Sequence, residues 1–213
     1  MSILLDGTGG VTTPGVVNTA GETIATTLSV TGASTFTGTG KFATTIGVGN
    51  ATPAASGAGI TFPATQSASS DANTLDDYEE GDWTPTWIAA SGTITANSNT
   101  SGKYVKIGKV VYIWGYISYQ SNASASGAVS VSGLPFTAGS GFGQSGGRSG
   151  GVYTMGNAFF TSNSPNFGNI PNAGIAIYPF ISTAGDRTAL TFADFNTSFA
   201  NADQFVFAGQ YNI

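Results

Sequence analysis

Five carboxylates lie within seven positions, Asp76, Asp77, Glu79, Glu80 and Asp82. They are the densest group of chemically capable side chains in the sequence. Carboxylates at this density suggest two chemistries. Calcium takes six to eight oxygen ligands, and glycoside cleavage uses two carboxyl groups facing each other across a sugar. Neither pattern is met. The spacing is not that of an Asp-x-Asp-x-Asp-Gly calcium loop with a distant Glu. A run within one segment also does not supply two walls of a cleft. The expected role is an acidic linker that contacts a neighbouring chain, with no bound metal, no cofactor and no catalytic residue. The chain has no histidine and no cysteine. Ser-His-Asp chemistry, imidazole or thiolate metal sites and disulfide frameworks are therefore excluded.

A second chemical signature, Gly141-Phe142-Gly143-Gln144-Ser145-Gly146, fits Gly-x-Gly-x-x-Gly. A dinucleotide site needs a strand before that motif and a helix after it. The flanks, residues 139–151, are mostly Gly and Ser and predict a surface loop instead. Loops on rigid scaffolds carry much of the binding in proteins. Phe142, Gln144, Arg148 and Tyr153 are thus the candidate receptor-binding residues. Trp83, Trp87 and Trp114 could stack on sugars, but aromatic side chains in strands more often fill cores. Trp114 lies in the most apolar run and is expected to be buried.

The elements that must position these residues are β-strands. Only 8% of residues are charged, 31 are glycine and 12% are aromatic, a composition suited to turn-rich β-structure. Residues 1–70 carry three charges, Asp6, Glu22 and Lys41, and their large apolar residues are widely spaced. Such a segment cannot offset its ordering entropy alone. The alternation in Thr27-Leu28-Ser29-Val30-Thr31-Gly32-Ala33-Ser34-Thr35-Phe36-Thr37-Gly38 predicts short strands, echoed by Phe42-Ala43-Thr44-Thr45-Ile46-Gly47-Val48-Gly49. Two readings follow, a disordered tail or a segment ordered by pairing with copies of itself; the second, a slender shaft with a core shared by three chains, is the one expected. Residues 71–85 read as an acidic hinge and residues 86–213 as a β-sandwich or barrel-like domain. Within the latter, Gly108-Lys109 predicts a two-residue hairpin turn. Further strands are expected over 128–134, 174–181 and 188–192. Over 204–213, Phe205, Phe207 and Tyr211 share one face. No helix is expected.

The net charge of −5 argues against sequence-independent nucleic-acid binding. The longest apolar run, around residues 110–117, is far short of the ~18 residues of a membrane span, so no membrane insertion is expected. The first residues show no secretory signal.

The phrase Leu75-Asp76-Asp77-Tyr78-Glu79-Glu80-Gly81-Asp82-Trp83-Thr84-Pro85 resembles one that recurs in bacteriophage tail-fibre and related virion fibre proteins. The resemblance continues in order through Gly102-Lys103-Tyr104-Val105-Lys106-Ile107-Gly108-Lys109-Val110-Val111, Gly133-Leu134-Pro135-Phe136 and a closing Phe205-Val206-Phe207-Ala208-Gly209-Gln210-Tyr211-Asn212-Ile213. It implies a homotrimeric, non-enzymatic fibre on the surface of a phage particle. The N-terminal segment would join other tail or capsid proteins, and the β-domain would meet a host surface glycan or protein. Asp76, Asp77, Tyr78, Glu79, Glu80 and Trp83 are the expected trimer or hinge contacts. Two further readings stay open: a capsid-bound fibre or head decoration protein, and a polysaccharide-degrading tailspike.

Overall fold

The computed structural model describes residues 31–35, 37–140, 148–154, 164–183, 186–195, 197 and 203–213. The chain falls into two units, Met1–Phe42 and Ala43–Ile213. In the first, the described residues form no strand and are exposed. Most of the expected shaft, including Leu28, Val30 and Phe36, lies outside the described residues.

The second unit is β-structure throughout, and its helical content among the described residues is a single 3-10 turn, Phe192–Asp194. Two short strands, β1 (Thr45–Gly47) and β2 (Gly59–Thr61), pair in parallel. The nine-stranded sheet comprises β3 (Tyr78–Trp83), β4 (Thr86–Ala96), β5 (Ser101–Ile107), β6 (Val110–Ser132), β7 (Arg148–Thr154), β8 (Phe167–Pro171), β9 (Ala176–Thr183), β10 (Asp186–Ala189) and β11 (Gln204–Asn212).

β6 organises this sheet. Its first half pairs with β5 and β11, and its second half pairs with β4. Beyond β11 the pairing continues through β7, β8 and β9. β9 then returns to β6 at Val131↔Ile177 and Ser132↔Ala176. The order β6–β11–β7–β8–β9–β6 thus closes on itself, as expected of a barrel-like domain. β5 and β3 extend from one side of the ring, ending at β3.

Period-two alternation sets which side chains enter the core. Val111, Ile113 and Ile117 of β6, with Phe205, Phe207 and Tyr211 of β11, are buried. The inward phase also holds Gly115, aligned with Phe207 on one side and Gly102 on the other; Gly102 in turn faces Trp83. The row Trp83–Gly102–Gly115–Phe207 crosses four strands. The two rings reach over the glycines and meet edge to face at 6.0 Å. A Cβ on Gly102 would lie 2.4 Å from Trp83 Nε1, and one on Gly115 2.7 Å from the Phe207 ring. Trp87 fills the other end of the core, 5.2 Å from the Phe195 ring centroid.

Three expectations need correction. Trp114 is not buried: it is 43% exposed, because it stands in the phase opposite to Ile113 and Gly115. Residues 71–85 are not simply a solvated hinge, since Tyr78–Trp83 is a strand in full register with β5. Residues 148–151 belong to a strand rather than a loop, because Gly150 and Gly151 pair with β11. The Gly108-Lys109 turn is as expected, joining Ile107 to Val110 with φ +55° at Gly108.

These placements predict opposite outcomes for two tryptophans. Trp87→Ala should cost about 3–5 kcal/mol by urea denaturation. Trp114→Ala should change stability by no more than about 0.5 kcal/mol, as surface substitutions do. Gly102→Ala should destabilise by about 1–3 kcal/mol through overpacking against Trp83.

Candidate binding trough

The outward phase of the same strands carries a different set of residues. Trp114 on β6 aligns with Ala208 on β11, which aligns with Tyr153 on β7 and then Phe167 on β8. One step along the strands, Tyr112 aligns with Gln210, Gly151, Asn169 and finally Tyr178 on β9. The second row has large side chains at its ends and glycine or amide side chains between them, and in the first Ala208 stands beside Trp114. The result is a concavity of about 870 Å³ lined by Tyr112, Trp114, Arg148, Asn169, Gln210 and their neighbours. Tyr112 and Trp114 are each 43% exposed at one wall. From β6 to β8 is three strand spacings, ~14 Å. Among the described residues no carboxylate lines the trough, and Arg148 is its charged residue.

Buried polar contacts support the walls. The Tyr211 hydroxyl donates to Phe136 O and accepts from Phe136 N, both at 3.1 Å. Burial pushes its pKa up to about 12, partly countered by the Phe136 backbone hydrogen bond. Beside Arg148, the buried Ser149 hydroxyl is in contact with Gly139 O and with Asn172 Oδ1. Gly139 N donates to Asn212 O at 2.8 Å. Both ends of the chain around residues 141–147 are thereby fixed to the sheet.

The trough brings together only part of the expected receptor site. Arg148 lines it, and the Tyr153 backbone pairs opposite Ala208. Phe142 and Gln144 lie outside the described residues. Trp114 has a sugar-stacking reading in the sequence, outweighed there by burial, and Tyr112, Asn169 and Gln210 have none. They come from three strands, β6, β8 and β11, so no local pattern joins them, although Trp114 and Gly115 in opposite phases were a usable signal.

The acidic segment divides by alternation rather than forming one cluster. Asp77 and Glu79 turn inward, where the nearly buried Lys106 ammonium donates to both, at 2.8 Å to Glu79 Oε1. Burial pushes the Lys106 pKa down, but these hydrogen bonds and charges more than reverse it, for a net rise. Tyr78, Glu80 and Asp82 turn outward. Tyr78 donates to Glu80 at 2.7 Å, which raises the phenol's pKa; Asp82 pairs with Lys103. Asp76 accepts from Ser69 N at 2.9 Å and Gln66 Nε2 at 3.3 Å, and the Ser69 bond leads the forces holding it below the usual carboxylate range. The expected contact residues divide in the same way: Asp77 and Trp83 are buried within the chain, Glu79 is bonded to Lys106, Asp76 is half-buried, and Tyr78 and Glu80 are exposed. Among the described residues no group of three or more acidic side chains is arranged to hold a metal ion.

No family model and no curated protein matches the chain. Among solved structures it is similar to the crystal structure of the Dettilon tailspike protein, at 18% identity and a TM-score of 0.47. The match covers 63% of this chain and 24% of that one. The chain therefore spans about a quarter of that protein's length, and no property is carried over from it.

The Tyr211 hydroxyl gives a pH prediction. A folded-state pKa of about 12, above the ordinary 10, means the folded protein holds this proton longer than the unfolded chain. Its contribution is complete below pH 10 and is lost as pH rises toward 12, by roughly 2–3 kcal/mol. Denaturation between pH 9 and 12, compared with Tyr211→Phe, should show this component in the wild type alone.

Proposed function

We propose that this chain is a non-enzymatic structural fibre protein of a bacteriophage particle. Its β-domain meets the host surface through the trough, and three copies assemble side by side. The virion assignment rests on the ordered resemblance of residues 71–213 to phage fibre proteins. The observation that carries the binding role is the pair of half-exposed aromatics, Tyr112 and Trp114, above a Gly and Ala floor with amides at hand. The C–H face of a sugar ring is apolar and suits the negative face of an aromatic ring. Gln210 and Asn169 supply the donors and acceptors that fix orientation in such sites. Arg148, with no carboxylate beside it in the trough among the described residues, favours a saccharide bearing acid groups.

Self-association is supported by apolar residues left uncovered in the single chain. Phe42, Ile60 and Leu75 are each more than half exposed, and all precede β3. A partner copy would remove that surface from water, worth about 25 cal/mol per Å².

The purified chain should sediment as three copies, and on intact particles it should be located by labelling at the tail or capsid surface. It should bind host-surface polysaccharide without shortening it. The double variant Tyr112→Ala, Trp114→Ala should stay folded and trimeric and lose at least ten-fold in that binding. Unchanged binding would remove the trough from the proposal. A monomeric double variant would instead make the trough an interface between copies. Depolymerisation would establish a tailspike enzyme.

A further inference from the structure

The Lys106 site has features that an ordinary ion pair does not need. Lys106 is 3% exposed and Asp77 1%. Lys106 Nζ contacts Asp77 Oδ2 and Glu79 Oε1, and lies 5.1 Å from the centre of the Phe136 ring. The other Asp77 oxygen, Oδ1, is buried with no hydrogen-bond partner among the described residues. Taking two charges out of water costs about as much as their attraction returns. A buried oxygen left unsatisfied adds to that cost. As a source of stability alone, the arrangement is poor.

As a reaction site it is complete. An amine nitrogen is held in contact with a carboxyl group, and both side chains are almost wholly buried. A second carboxyl group touches the same nitrogen and can carry protons. We propose that Lys106 and Asp77 condense to an intramolecular isopeptide bond, with Glu79 as the proton carrier. A proton first moves from the Lys106 ammonium to the Asp77 carboxylate, leaving a neutral amine and a carboxylic acid. The Nζ lone pair then attacks Asp77 Cγ, forming the C–N bond of a tetrahedral intermediate. Glu79 takes a proton from Nζ and returns it to the departing hydroxyl; the C–O bond breaks and water leaves. One amine and one acid become one amide and one water, and Glu79 ends as it began. No oxidant, nucleotide or metal is required.

Two general effects favour the reaction. Groups held in reacting geometry gain effective concentrations of about 10⁵–10⁸ M. The product amide is also neutral, so condensation removes two buried charges together. The bond would link residues 29 apart in sequence and tie the residue just before β3 covalently to β5. The chain has no cysteine with which to make such a link as a disulfide. This inference does not depend on the saccharide or virion readings.

Intact-mass measurement of the purified full chain, under denaturing conditions, tests it. The expected mass is one water below the sequence mass. Fragmentation should place the link between a peptide containing Asp77 and one containing Lys106. Lys106→Arg keeps the cation but removes the nucleophile and should restore the full mass. Glu79→Gln should do the same in protein whose far-ultraviolet spectrum remains that of the wild type. A folded wild-type chain at full sequence mass overturns the proposal. So does a lost water that maps elsewhere, for example to a succinimide at Asp6-Gly7, or one that persists in Lys106→Arg. Folded Glu79→Gln that still loses the water overturns the part given to Glu79.

Discussion

The contact between Trp83 and Phe207 across two glycines sets the phase of four strands. Side chains alternate, so fixing one residue inward fixes all its neighbours on that strand. With Gly102 and Gly115 beneath the rings, Lys103 and Trp114 must face outward. With Phe207 inward, Ala208 and Gln210 must line the opposite surface. The same choice turns Asp77 and Glu79 toward Lys106, because they share Trp83's phase on β3. Core packing, trough and buried ion cluster are thus three outcomes of one register.

How much of this was legible in the sequence depended on whether a segment had a single reading. Residues 204–213 alternate cleanly, and Phe205, Phe207 and Tyr211 are buried together. Residues 110–119 are apolar in both phases, so hydrophobicity could not say which face was inside. Gly115 could have decided it: a glycine in phase with Val111, Ile113 and Ile117 leaves room for a ring from the next strand. The acidic segment misled because its charge was read as a block. At period two, Asp77 and Glu79 form one side and Glu80 and Asp82 the other, a pattern that anticipates a strand. The Gly-Ser composition around residue 150 misled in the opposite sense. There a Cβ on Gly150 would lie 2.0 Å from Gln210 O, so glycine marks close backbone packing rather than a loop. The trough itself was out of reach, because strands remote in sequence supply its walls.

β6 also bears on how the domain assembles. Its partners lie on both sides in sequence, β4 and β5 before it and β9 and β11 after it. The ring cannot close until Gln204–Asn212 has found Val110–Ser118. Such non-local pairing carries a loop-closure cost before contacts repay it, and folding dominated by it is slow. The two-residue turn at Gly108-Lys109 is the local exception and a natural first contact.

The ring of strands conceals its own borders, but among the described residues the sheet retains three free edges, β3, β10 and β4, the last paired only with β6 and broken by register shifts. A bare strand edge is a template on which further copies can stack, and natural proteins blunt such edges with charge or brevity. Both devices are present. β3 carries Glu79, Glu80 and Asp82, while β10 is four residues long and contains Asp186 and Arg187. In a chain only 8% charged, that placement puts scarce repulsion at two of the three edges on which growth would begin. Many copies held at close quarters could then keep separate identities instead of merging into fibrils.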